Sequence, residues 1–328
     1  RMTNAQSPAP ITWPPSHGVG GAPRSMPRSG APYDLPIPRP PRTVAMNYRH
    51  AFHAGNFADV AKHIILTRLI EYLKLKPAAF RVIDTHAGLG RYSLTGDEAK
   101  RSPEWQDGIG RLLKATLPDK AAALIQPYLE VIESENQNGT LARYPGSPLL
   151  ARKLFRPQDR LSALELHPKD ARELGKLFTG DVQTRVTALD GWLALNAYVP
   201  PKEKRGLVLV DPPFEEDGEW SRLVEGLTKA HKKWATGMYA LWYPLKDVRE
   251  VNAFVADLKA TGIARMLRAE LMVDRPTTPA KLYGSGMILV NPPFTIEAEL
   301  NIVLPALAKV LADGNRGGHR VEWIRGEK

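Results

Sequence analysis

The residues best suited to chemistry in this sequence are the four at 211–214, Asp-Pro-Pro-Phe, which end the apolar run at 206–211. Proline lacks the N–H that a strand ladder needs and fixes φ, so the pattern predicts a buried strand that stops abruptly. A carboxylate at Asp211 and the carbonyl of Pro212 could then accept both N–H bonds of an aromatic amine such as that of adenine. This would aim the lone pair of the amine at an electrophilic methyl group, while the ring of Phe214 stacks on a base that has left its helix.

A turn that contains two glycines follows the strand-like run at 80–84, in the sequence Thr-His86-Ala-Gly88-Leu-Gly90. Glycines directly after a first strand let a ligand lie against the backbone. A dinucleotide-binding fingerprint needs a third glycine, and this chain has Ser93 in that position. The turn therefore favours S-adenosylmethionine, which needs no pyrophosphate cradle, over NAD. A tight turn that binds no ligand is the alternative.

Acidic residues end the next two strand-like runs, Glu165 within 160–166 and Asp190 directly after 184–189. Glu165 could accept both ribose hydroxyls of an adenosyl group, and Asp190 could meet the amino group of its adenine. Either residue alone could equally be an ordinary exposed acid. Together with Asp84 they place acids at the ends of three successive strands, and this joint pattern indicates a shared binding site.

Three histidines, His50, His53 and His63, lie close together in the sequence, and His86 follows in the glycine turn. A zinc or iron site is one interpretation, but spacings of three and ten residues match no standard ligand set and the chain has no cysteine. We therefore expect histidines that are hydrogen-bonded in a polar pocket, and no metal. The aromatic and basic side chains around His50 instead suit the phosphate backbone and a stacked base of a nucleic acid.

The elements that would position these residues follow from the hydrophobic pattern. Helical spacing of apolar residues predicts a helix over 56–74, with Asn56 as N-cap and Asp59 in a variant of the capping box. Residues 93–143 contain amphipathic pieces and predict a small helical insertion. Strands that alternate with helices predict an α/β protein with a mostly parallel, doubly wound sheet that binds ligands at the carboxyl ends of its strands. The strand-like runs are 80–84, 160–166, 184–189, 206–211, 237–243, 264–271 and 285–291.

The sequence Asn-Pro-Pro-Phe at 291–294 nearly repeats the motif at 211–214. Counted from the run at 80–84, the first motif ends strand four, which lies in the middle of such a sheet. The second motif ends strand seven, which is typically antiparallel in this class, so that its end faces the opposite edge. We predict that the first motif does the chemistry and that Asn291 only ends a strand.

Length and composition indicate a globular protein, with 328 residues of which 43% are apolar and 24% charged. No clean run of 18 apolar residues is present, so we expect no membrane span. The absence of cysteine excludes disulfides, iron–sulfur clusters and cysteine-bound zinc, and it fits a reducing cytoplasm. A net charge of +10 favours an anionic partner, of which nucleic acid is the commonest.

Residues 1–45 differ from the rest of the chain in composition. They hold eleven of the 29 prolines, and five arginines against one acid. Such a segment cannot form a helix or a strand ladder, so we predict a disordered or polyproline-like extension. Met46 begins the first ordered-looking segment and is expected to be an alternative or true start. Residues 46–328 are predicted to form one domain that contains the insertion at 93–143.

From Met46 to about Ile324 the sequence resembles the bacterial RlmJ family, large-subunit ribosomal RNA adenine-N6 methyltransferases. DPPF fits the [DNS]-P-P-[FYW] signature of adenine-N6 methyltransferases, and the pieces YRHAFHAGNFADVAKH, DTHAGLGRY, YPGSPLLAR, ELHP, ALDG, LVDPPF, TGMYALWYP and SGMILVNPPF carry the resemblance. The family implies a Rossmann-like, class I S-adenosylmethionine-dependent methyltransferase fold, with a seven-stranded mostly parallel sheet and a small helical insertion. It also implies methyl transfer from S-adenosylmethionine to N6 of one adenine in 23S ribosomal RNA.

The resemblance, together with the patterns above, assigns expected roles to individual residues. The residues expected at the target amine are Asp211, Pro212 and Phe214, and those expected near the target adenosine are Tyr48, His50 and Lys62. The residues expected to contact S-adenosylmethionine are His63, His86, Gly88, Ser147, Glu165, Asp190, Gly191 and Asp211. Phe214 departs from the family, whose familiar members have tyrosine there, so stacking is kept but a hydrogen bond from the hydroxyl is not.

Three other functions remain open at this point. The same chemistry could act on DNA adenine, although a DNA enzyme commonly adds a recognition domain larger than the segment at 93–143. A non-catalytic RNA-binding protein could share the fold, but it would not need an intact DPPF motif with intact acids. An NAD oxidoreductase would lack the third glycine of its fingerprint. We predict a monomeric, cytoplasmic enzyme that binds 23S ribosomal RNA and uses neither a metal nor a membrane.

Overall fold

Ten strands and ten α-helices follow one another along the part of the chain that the structure describes, residues 50–137 and 139–326 of a computed structural model. The predicted extension at 1–45 and Tyr48 lie outside these residues. The strands are β1 (Arg81–Asp84), β2 (Arg91–Ser93), β3 (Arg143–Pro145), β4 (Arg160–Glu165), β5 (Thr184–Ala188), β6 (Gly206–Val210), β7 (Met238–Leu245), β8 (Met266–Met272), β9 (Gly284–Val290) and β10 (Gly318–Arg325). The helices are α1 (Phe57–Lys74), α2 (Asp97–Arg101), α3 (Ile109–Leu112), α4 (Asp119–Ser134), α5 (Ser147–Leu154), α6 (Pro168–Leu177), α7 (Gly191–Ala197), α8 (Glu219–Lys233), α9 (Val248–Ala260) and α10 (Ile296–Leu311).

Eight of the strands form the central sheet, in the order β5-β4-β1-β6-β7-β9-β8-β10. β1 pairs in parallel with β4 and β6, and β5 and β7 continue the parallel pairing on either side. β9 is antiparallel to both β7 and β8, as predicted for the strand that ends in the second Pro-Pro motif. This order confirms the predicted Rossmann-like α/β fold with a mostly parallel sheet.

The predicted number of seven strands is wrong, because β10 adds an eighth strand at the edge of the sheet. β10 pairs antiparallel with β8. Its sequence, Gly-His-Arg-Val-Glu-Trp-Ile-Arg, contains no apolar run, and most of its side chains are exposed or half-buried. An edge strand tolerates this composition because charges there discourage pairing with other chains, and the same charges hide the strand from a hydrophobic pattern.

Helices cover both faces of the sheet. Every residue of β6 and of β9 is buried, which is typical of strands that are covered on both sides. One face packs against a layer that includes α1, α5 and α10, and the other face packs against α7, α8 and α9. No helix among the described residues is long and apolar enough to cross a membrane.

α1 carries the largest number of predicted site residues, and it is buried on nearly all sides. Its N-cap forms as predicted, since the Asn56 side chain accepts hydrogen bonds from the N–H groups of Ala58 and Asp59 at 3.0 Å each. Asp59 reaches one residue further back than in a capping box and accepts the N–H of Gly55 at 2.9 Å. Because the helix is enclosed, its polar residues, including Lys62, must find partners inside the protein.

The segment between β2 and β3 contains three helices, α2, α3 and α4, in the region where a helical insertion is predicted. β2 and β3 pair antiparallel and close the segment at both ends. Their central pair, Tyr92 and Tyr144, is buried, and the hydroxyl of Tyr144 lies 3.1 Å from that of Tyr128 in α4. The N–H of Ile109 donates to the carbonyl of Gly55 at 2.9 Å, which fastens this segment to the start of α1.

Candidate active site

Four acidic side chains meet at one edge of the sheet, where its parallel strands end. Asp84 and Glu165 are the last residues of β1 and β4, and Asp190 and Asp211 follow β5 and β6 after at most one further residue. These four strands are neighbours that run in the same direction. Acids that are far apart in the sequence therefore lie along the carboxyl edge, which is where sheets of this kind bind ligands.

Asp211 belongs to a buried chain of charges that includes two residues of α1. Its Oδ2 contacts Nζ of Lys62, and the same Nζ lies 2.9 Å from Oδ1 of Asp59. Lys62 is 3% exposed and Asp59 is 1% exposed. Burial alone lowers the pKa of Lys62, but the charges of Asp211 and Asp59 outweigh it and raise this pKa above its ordinary value. The ammonium group is therefore a permanent cation at neutral pH.

Asp59 also holds the segment that precedes α1. Its Oδ2 lies 2.9 Å from Nε2 of His50 and accepts the N–H of Gly55 at the same distance. Burial alone raises the pKa of Asp59, but the charges of His50 and Lys62 outweigh it and hold this pKa well below its ordinary value. Sequence reasoning identified Asp59 only as a capping residue. The spacing of three residues between Asp59 and Lys62 was the available signal.

Glu104, between α2 and α3, holds the same segment at a second point. Its carboxylate lies 2.9 Å from Nδ1 of His53 and accepts a hydrogen bond from the side chain of Asn56 at 3.0 Å. The hydrogen bond with Glu104 raises the pKa of His53. His50 and His53 thus each have a carboxylate partner, as predicted for histidines in a polar pocket. Within residues 50–137 and 139–326, no group of three or more histidines and acids could hold a metal ion.

The glycine turn after β1 lies against Glu165. The N–H of Gly88 donates to Oε2 of Glu165 at 2.8 Å, and the N–H of His167 donates to Oε1 at 2.7 Å. Burial raises the pKa of Glu165. Gly88 and Gly90 have φ angles of +60° and +73°, a backbone region that favours glycine. Each carboxylate oxygen keeps a further lone pair, so Glu165 can also accept hydrogen bonds from a ligand.

Asp84, which is 1% exposed, lies at the start of the same turn. The hydroxyl of Ser147, the first residue of α5, donates to Oδ2 of Asp84 at 2.6 Å. Burial raises the pKa of Asp84 to about 7 although the hydrogen bond from Ser147 opposes this, and the nearby charge of Asp211 adds to the rise. Asp84 was noted in the sequence as a strand end, but it was not among the residues expected to contact a ligand.

Replacing Asp84 by asparagine should stabilise the cofactor-free protein increasingly as the pH rises. The folded-state pKa of about 7 exceeds the ordinary value of about 3.9, so the folded protein binds more protons between them and loses stability as pH rises through this range. Asparagine removes this titration. Thermal unfolding should show similar proteins near pH 4 and a higher melting temperature for Asp84→Asn near pH 8. A difference that is the same at both pH values would contradict this expectation.

The loops after β1 and β5 touch each other beside Asp190. The Asp190 carboxylate accepts the N–H of Trp192 at 2.7 Å and so caps α7. Gly191 has no room for a side chain, since a Cβ atom there would lie 2.3 Å from the Thr85 carbonyl oxygen and 2.7 Å from the ring of His86. The His86 ring packs edge-on against Trp192 at 5.4 Å, and burial lowers the pKa of His86 to about 3. The structure therefore brings His86, Asp190 and Gly191 together.

His63 lies deeper than the other residues expected at the cofactor. It is 1% exposed, and its Nδ1 lies 2.9 Å from the hydroxyl of Tyr144, on whose ring it stacks at 5.5 Å. Burial lowers the pKa of His63 to about 3, so the ring is neutral. Its contact with a cofactor stays a prediction from the resemblance.

Phe214 adopts a φ angle of +52°, which is uncommon for a bulky residue and is found mainly where function or packing imposes it. Its ring packs edge-on against Trp220 at 4.7 Å and Trp242 at 5.7 Å. The ring of Trp242 in turn lies 5.8 Å from Nζ of Lys62. Phe214 is thus held by two tryptophans, one of which lies near Lys62, and its stacking on a base stays a prediction.

The second Pro-Pro motif lies at the opposite edge of the sheet. Because β9 is antiparallel to β7, Asn291 lies beside the start of β7, where its amide donates to the carbonyls of Ala235 and Gly237 at 2.8 and 2.7 Å. Phe294 is 81% exposed, with its ring edge-on to Tyr72 at 6.0 Å. The motif therefore ends a strand at a distance from the four acids, as its predicted direction requires.

Known proteins resemble this chain over most of its length. The family model described as "Ribosomal RNA large subunit methyltransferase D, RlmJ" matches residues 77–325. Ribosomal RNA large subunit methyltransferase J of Escherichia coli is 42% identical over 279 residues, which cover 85% of this chain and 99% of the relative. The protein of the same name from Haemophilus influenzae is 41% identical over 284 residues, 86% of this chain and 100% of the relative. A solved structure from Legionella pneumophila matches with 36% identity and a TM-score of 0.76, over 84% of this chain and 99% of that chain.

Proposed function

Because the chain belongs to the RlmJ family of ribosomal RNA large subunit methyltransferases, we propose that it transfers a methyl group from S-adenosylmethionine to N6 of one adenine in 23S ribosomal RNA. The observation that carries this proposal is the placement of Asp211 at the carboxyl edge of the sheet. Asp211 directly follows β6, and β6 pairs with β1, the strand that leads into the glycine turn. A group that can hold an amine and a turn that can hold the methyl donor are thus neighbours in one sheet.

The contacts of Asp211 suit the orientation of an adenine amine. Lys62 contacts Oδ2, which leaves Oδ1 to accept one N–H of the amine. The carbonyl of Pro212 accepts the second N–H, and the two prolines cannot extend the ladder, so this carbonyl stays available. With both N–H bonds held, the nitrogen becomes more tetrahedral. Its lone pair then leaves conjugation with the adenine ring and is aimed at the methyl group of the donor. Positioning of this kind is a large part of the catalytic effect when two reactants are held in contact.

S-adenosylmethionine supplies an electrophilic methyl group on a sulfonium sulfur. The N–C bond to adenine N6 forms as the S–C bond breaks, S-adenosylhomocysteine leaves, and N6 gives up one proton. Asp211 is placed to receive that proton on Oδ1. Lys62 is not suited to this task, because the charges of Asp211 and Asp59 raise its pKa and keep it protonated. We therefore assign Lys62 the role of a fixed cation that orients Asp211.

The residues expected at the cofactor fit an adenosyl group that carries a sulfonium. Gly88 adopts the positive φ of the turn and donates its N–H to Glu165, and Glu165 retains lone pairs for ribose hydroxyls. Asp190 follows the neighbouring strand β5, where it could accept a hydrogen bond from the amino group of the cofactor's adenine. Burial lowers the pKa of His63 and of His86, so both rings are neutral and do not repel the positive sulfonium.

Replacing Glu165 by alanine should weaken the binding of S-adenosylhomocysteine by about tenfold or more, equivalent to about 1.4 kcal/mol, because the ribose hydroxyls lose a charged acceptor. Calorimetry with the purified protein measures this directly, with NAD as a ligand that should not bind. Glu173→Ala, which removes an exposed carboxylate of α6, is the matched control and should bind normally. Unchanged affinity in Glu165→Ala, or tight binding of NAD, would show that the assignment of this pocket is wrong.

The substrate side of the site rests on the resemblance and on charge. Tyr48, His50 and Lys62 are proposed to lie near the extruded adenosine. His50 and Lys62 share the partner Asp59, and Tyr48 lies outside the described residues. A net charge of +10 suits an RNA partner. We further propose that the enzyme is a monomer in the cytoplasm, that it needs no metal and that it does not attach to a membrane.

Transfer of a labelled methyl group to 23S ribosomal RNA, assayed beside plasmid DNA, tests the proposed substrate. Label in RNA and none in DNA is the expected result. Label in DNA alone would favour a DNA adenine methyltransferase. RNA binding without transfer to either substrate would favour a non-catalytic RNA-binding protein.

A further inference from the structure

Asp59 stands out because one buried carboxylate joins three parts of the site. Oδ1 lies 2.9 Å from Nζ of Lys62, which in turn contacts Asp211. Oδ2 lies 2.9 Å from Nε2 of His50 and accepts the N–H of Gly55 at 2.9 Å. The side chains of Asp59 and Lys62 are 2% and 4% exposed, so solvent screens little of their attraction.

We propose that Asp59 is a positioning residue for methyl transfer. It holds the Lys62 ammonium against Asp211, and it fixes the position of residues 50–55 relative to Asp211. The inference rests on the proposed function and adds a residue to it. Asp59 does not touch the reacting atoms. It acts through Lys62 on one side and through His50 on the other.

The first part of the inference follows from the flexibility of lysine. A lysine side chain has four rotatable bonds, and its ammonium can take many positions unless its partners fix it. Contacts with two carboxylates, Asp59 and Asp211, fix the position of the ammonium. A displacement of roughly 1 Å in a group that orients a reactant can slow the reaction by about a hundredfold. Without Asp59, the Lys62 ammonium loses its proton more readily, and one of the two contacts that fix its position is gone.

The second part concerns the segment before α1. His50 and Gly55 are both bound to Oδ2 of Asp59, so a single oxygen fastens two points of that segment. Glu104 binds His53 and Asn56, and it is about 39% exposed, so solvent weakens this second attachment. Asp59 is therefore the better shielded of the two carboxylates that set the position of residues 50–55 relative to Asp211.

The charged and titratable groups around Lys62 come from several elements. They are Asp59 and His63 of α1, His50 ahead of α1, Asp84 at the end of β1 and Asp211 after β6. His63 is neutral, so Asp59 and Asp211 are the anions in direct contact with the ammonium. Removing the charge of Asp59 leaves one anion against an unchanged burial, and the pKa of Lys62 must then fall.

Asp59→Asn is the test variant, and the chain offers a close control. Asp159 is 0% exposed and is also paired with a cation three residues away, Arg156, at 2.9 Å, but it lies at the opposite edge of the sheet. Asp159→Asn therefore reports the cost of removing a buried, paired aspartate without touching the site. We expect both variants to melt earlier than wild type and both to bind S-adenosylhomocysteine normally.

Single-turnover methylation of 23S RNA, measured below the melting range of all variants, should separate the two. Asp59→Asn should be slower than wild type by about tenfold or more, and Asp159→Asn by less than about twofold. The alkaline fall in rate should also begin at a lower pH in Asp59→Asn than in wild type, because its Lys62 loses a proton more readily. In a Lys62→Met background, Asp59→Asn should add less loss than it causes alone, since the part of its effect that passes through Lys62 is already gone.

Three results would overturn the role of Asp59: equal rate losses in Asp59→Asn and Asp159→Asn, an alkaline fall in rate that begins at the same pH in Asp59→Asn as in wild type, or additive losses with Lys62→Met. Wild type and Asp211→Ala are assayed beside them. If wild type transfers no methyl group to RNA, or if Asp211→Ala transfers it normally, the proposed function fails instead. The two failures are thus distinguishable.

Discussion

Replacing Asp211 by alanine is expected to slow methyl transfer to RNA by about a hundredfold to a thousandfold, the loss typical of removing one preorganised group at a reacting centre. The adenine amine would lose the acceptor that holds one of its N–H bonds. Asp211 follows the end of a strand and its side chain is 13% exposed, so the fold should persist. Single-turnover kinetics measure the rate, and thermal unfolding with circular dichroism checks that the protein is folded.

Asn291→Ala in the second Pro-Pro motif is the matched control for this prediction. It should transfer methyl groups at nearly the wild-type rate and lose about 1–3 kcal/mol of stability. The loss has two causes: the amide of Asn291 no longer bonds Ala235 and Gly237, and alanine tolerates the φ of +51° less well. If Asn291→Ala abolished transfer while folded and Asp211→Ala did not, the assignment of the two motifs would be reversed.

Lys62→Met is expected to have the largest effect on stability, about 3–5 kcal/mol, because it leaves a buried carboxylate without its cation. Asp59 is 1% exposed and, among the described residues, would keep His50 and the Gly55 N–H as partners. The rate of methyl transfer should fall as well, since nothing then fixes Oδ2 of Asp211. Urea unfolding gives the free energy, and the RNA assay gives the rate.

The stability deficit of Lys62→Met should depend on pH. In wild type the pKa of Asp59 is lowered, so its contribution to stability is present above the unfolded value of about 3.9 and is lost only as pH falls through the folded value. Without Lys62, one of the charges that oppose burial is gone, so the pKa of Asp59 rises from its wild-type value, and protonation of Asp59 relieves part of the penalty as the pH falls. The deficit should therefore be smaller near pH 5 than near pH 8. A deficit that does not change with pH would contradict the charge argument.

Lys74→Met is a suitable control for this variant, because Lys74 lies on the same helix and also pairs with an acid three residues away. Its partner is Glu71, at 2.6 Å, and the two side chains are 27% and 22% exposed. An ion pair in contact with solvent contributes about 1 kcal/mol or less. Lys74→Met should therefore unfold almost like wild type at both pH values and methylate RNA normally.

Most elements around the site could be predicted from the sequence. Each of the seven strand-like runs overlaps an observed strand, and α1 begins directly after its predicted cap, Asn56. These predictions succeed because strands that are buried on both faces are continuous apolar runs, and because an N-cap depends only on its own neighbours. The direction of β9 followed from the fold class and separated Asp211 from Asn291 in advance.

The contacts within the site could not be predicted in the same way. Lys62 and Asp211 are 149 residues apart, and they meet only because α1 packs across the end of β6. Asp59 looked like a capping residue because the sequence does not show that α1 is enclosed on nearly all sides. β10 was missed for the opposite reason: it is an exposed, charged edge strand, and burial is what a hydrophobic pattern detects.

Mass spectrometry of 23S ribosomal RNA, incubated with the purified protein and isotope-labelled S-adenosylmethionine, tests most directly whether this protein is an adenine-N6 methyltransferase. We predict one labelled methyl group at a single adenine, released by nuclease digestion as N6-methyladenosine and strongly reduced, after the same incubation time, when Asp211→Ala replaces wild type. Label on another base or on a ribose, or no label in 23S ribosomal RNA under conditions where wild type binds S-adenosylhomocysteine, would contradict that assignment.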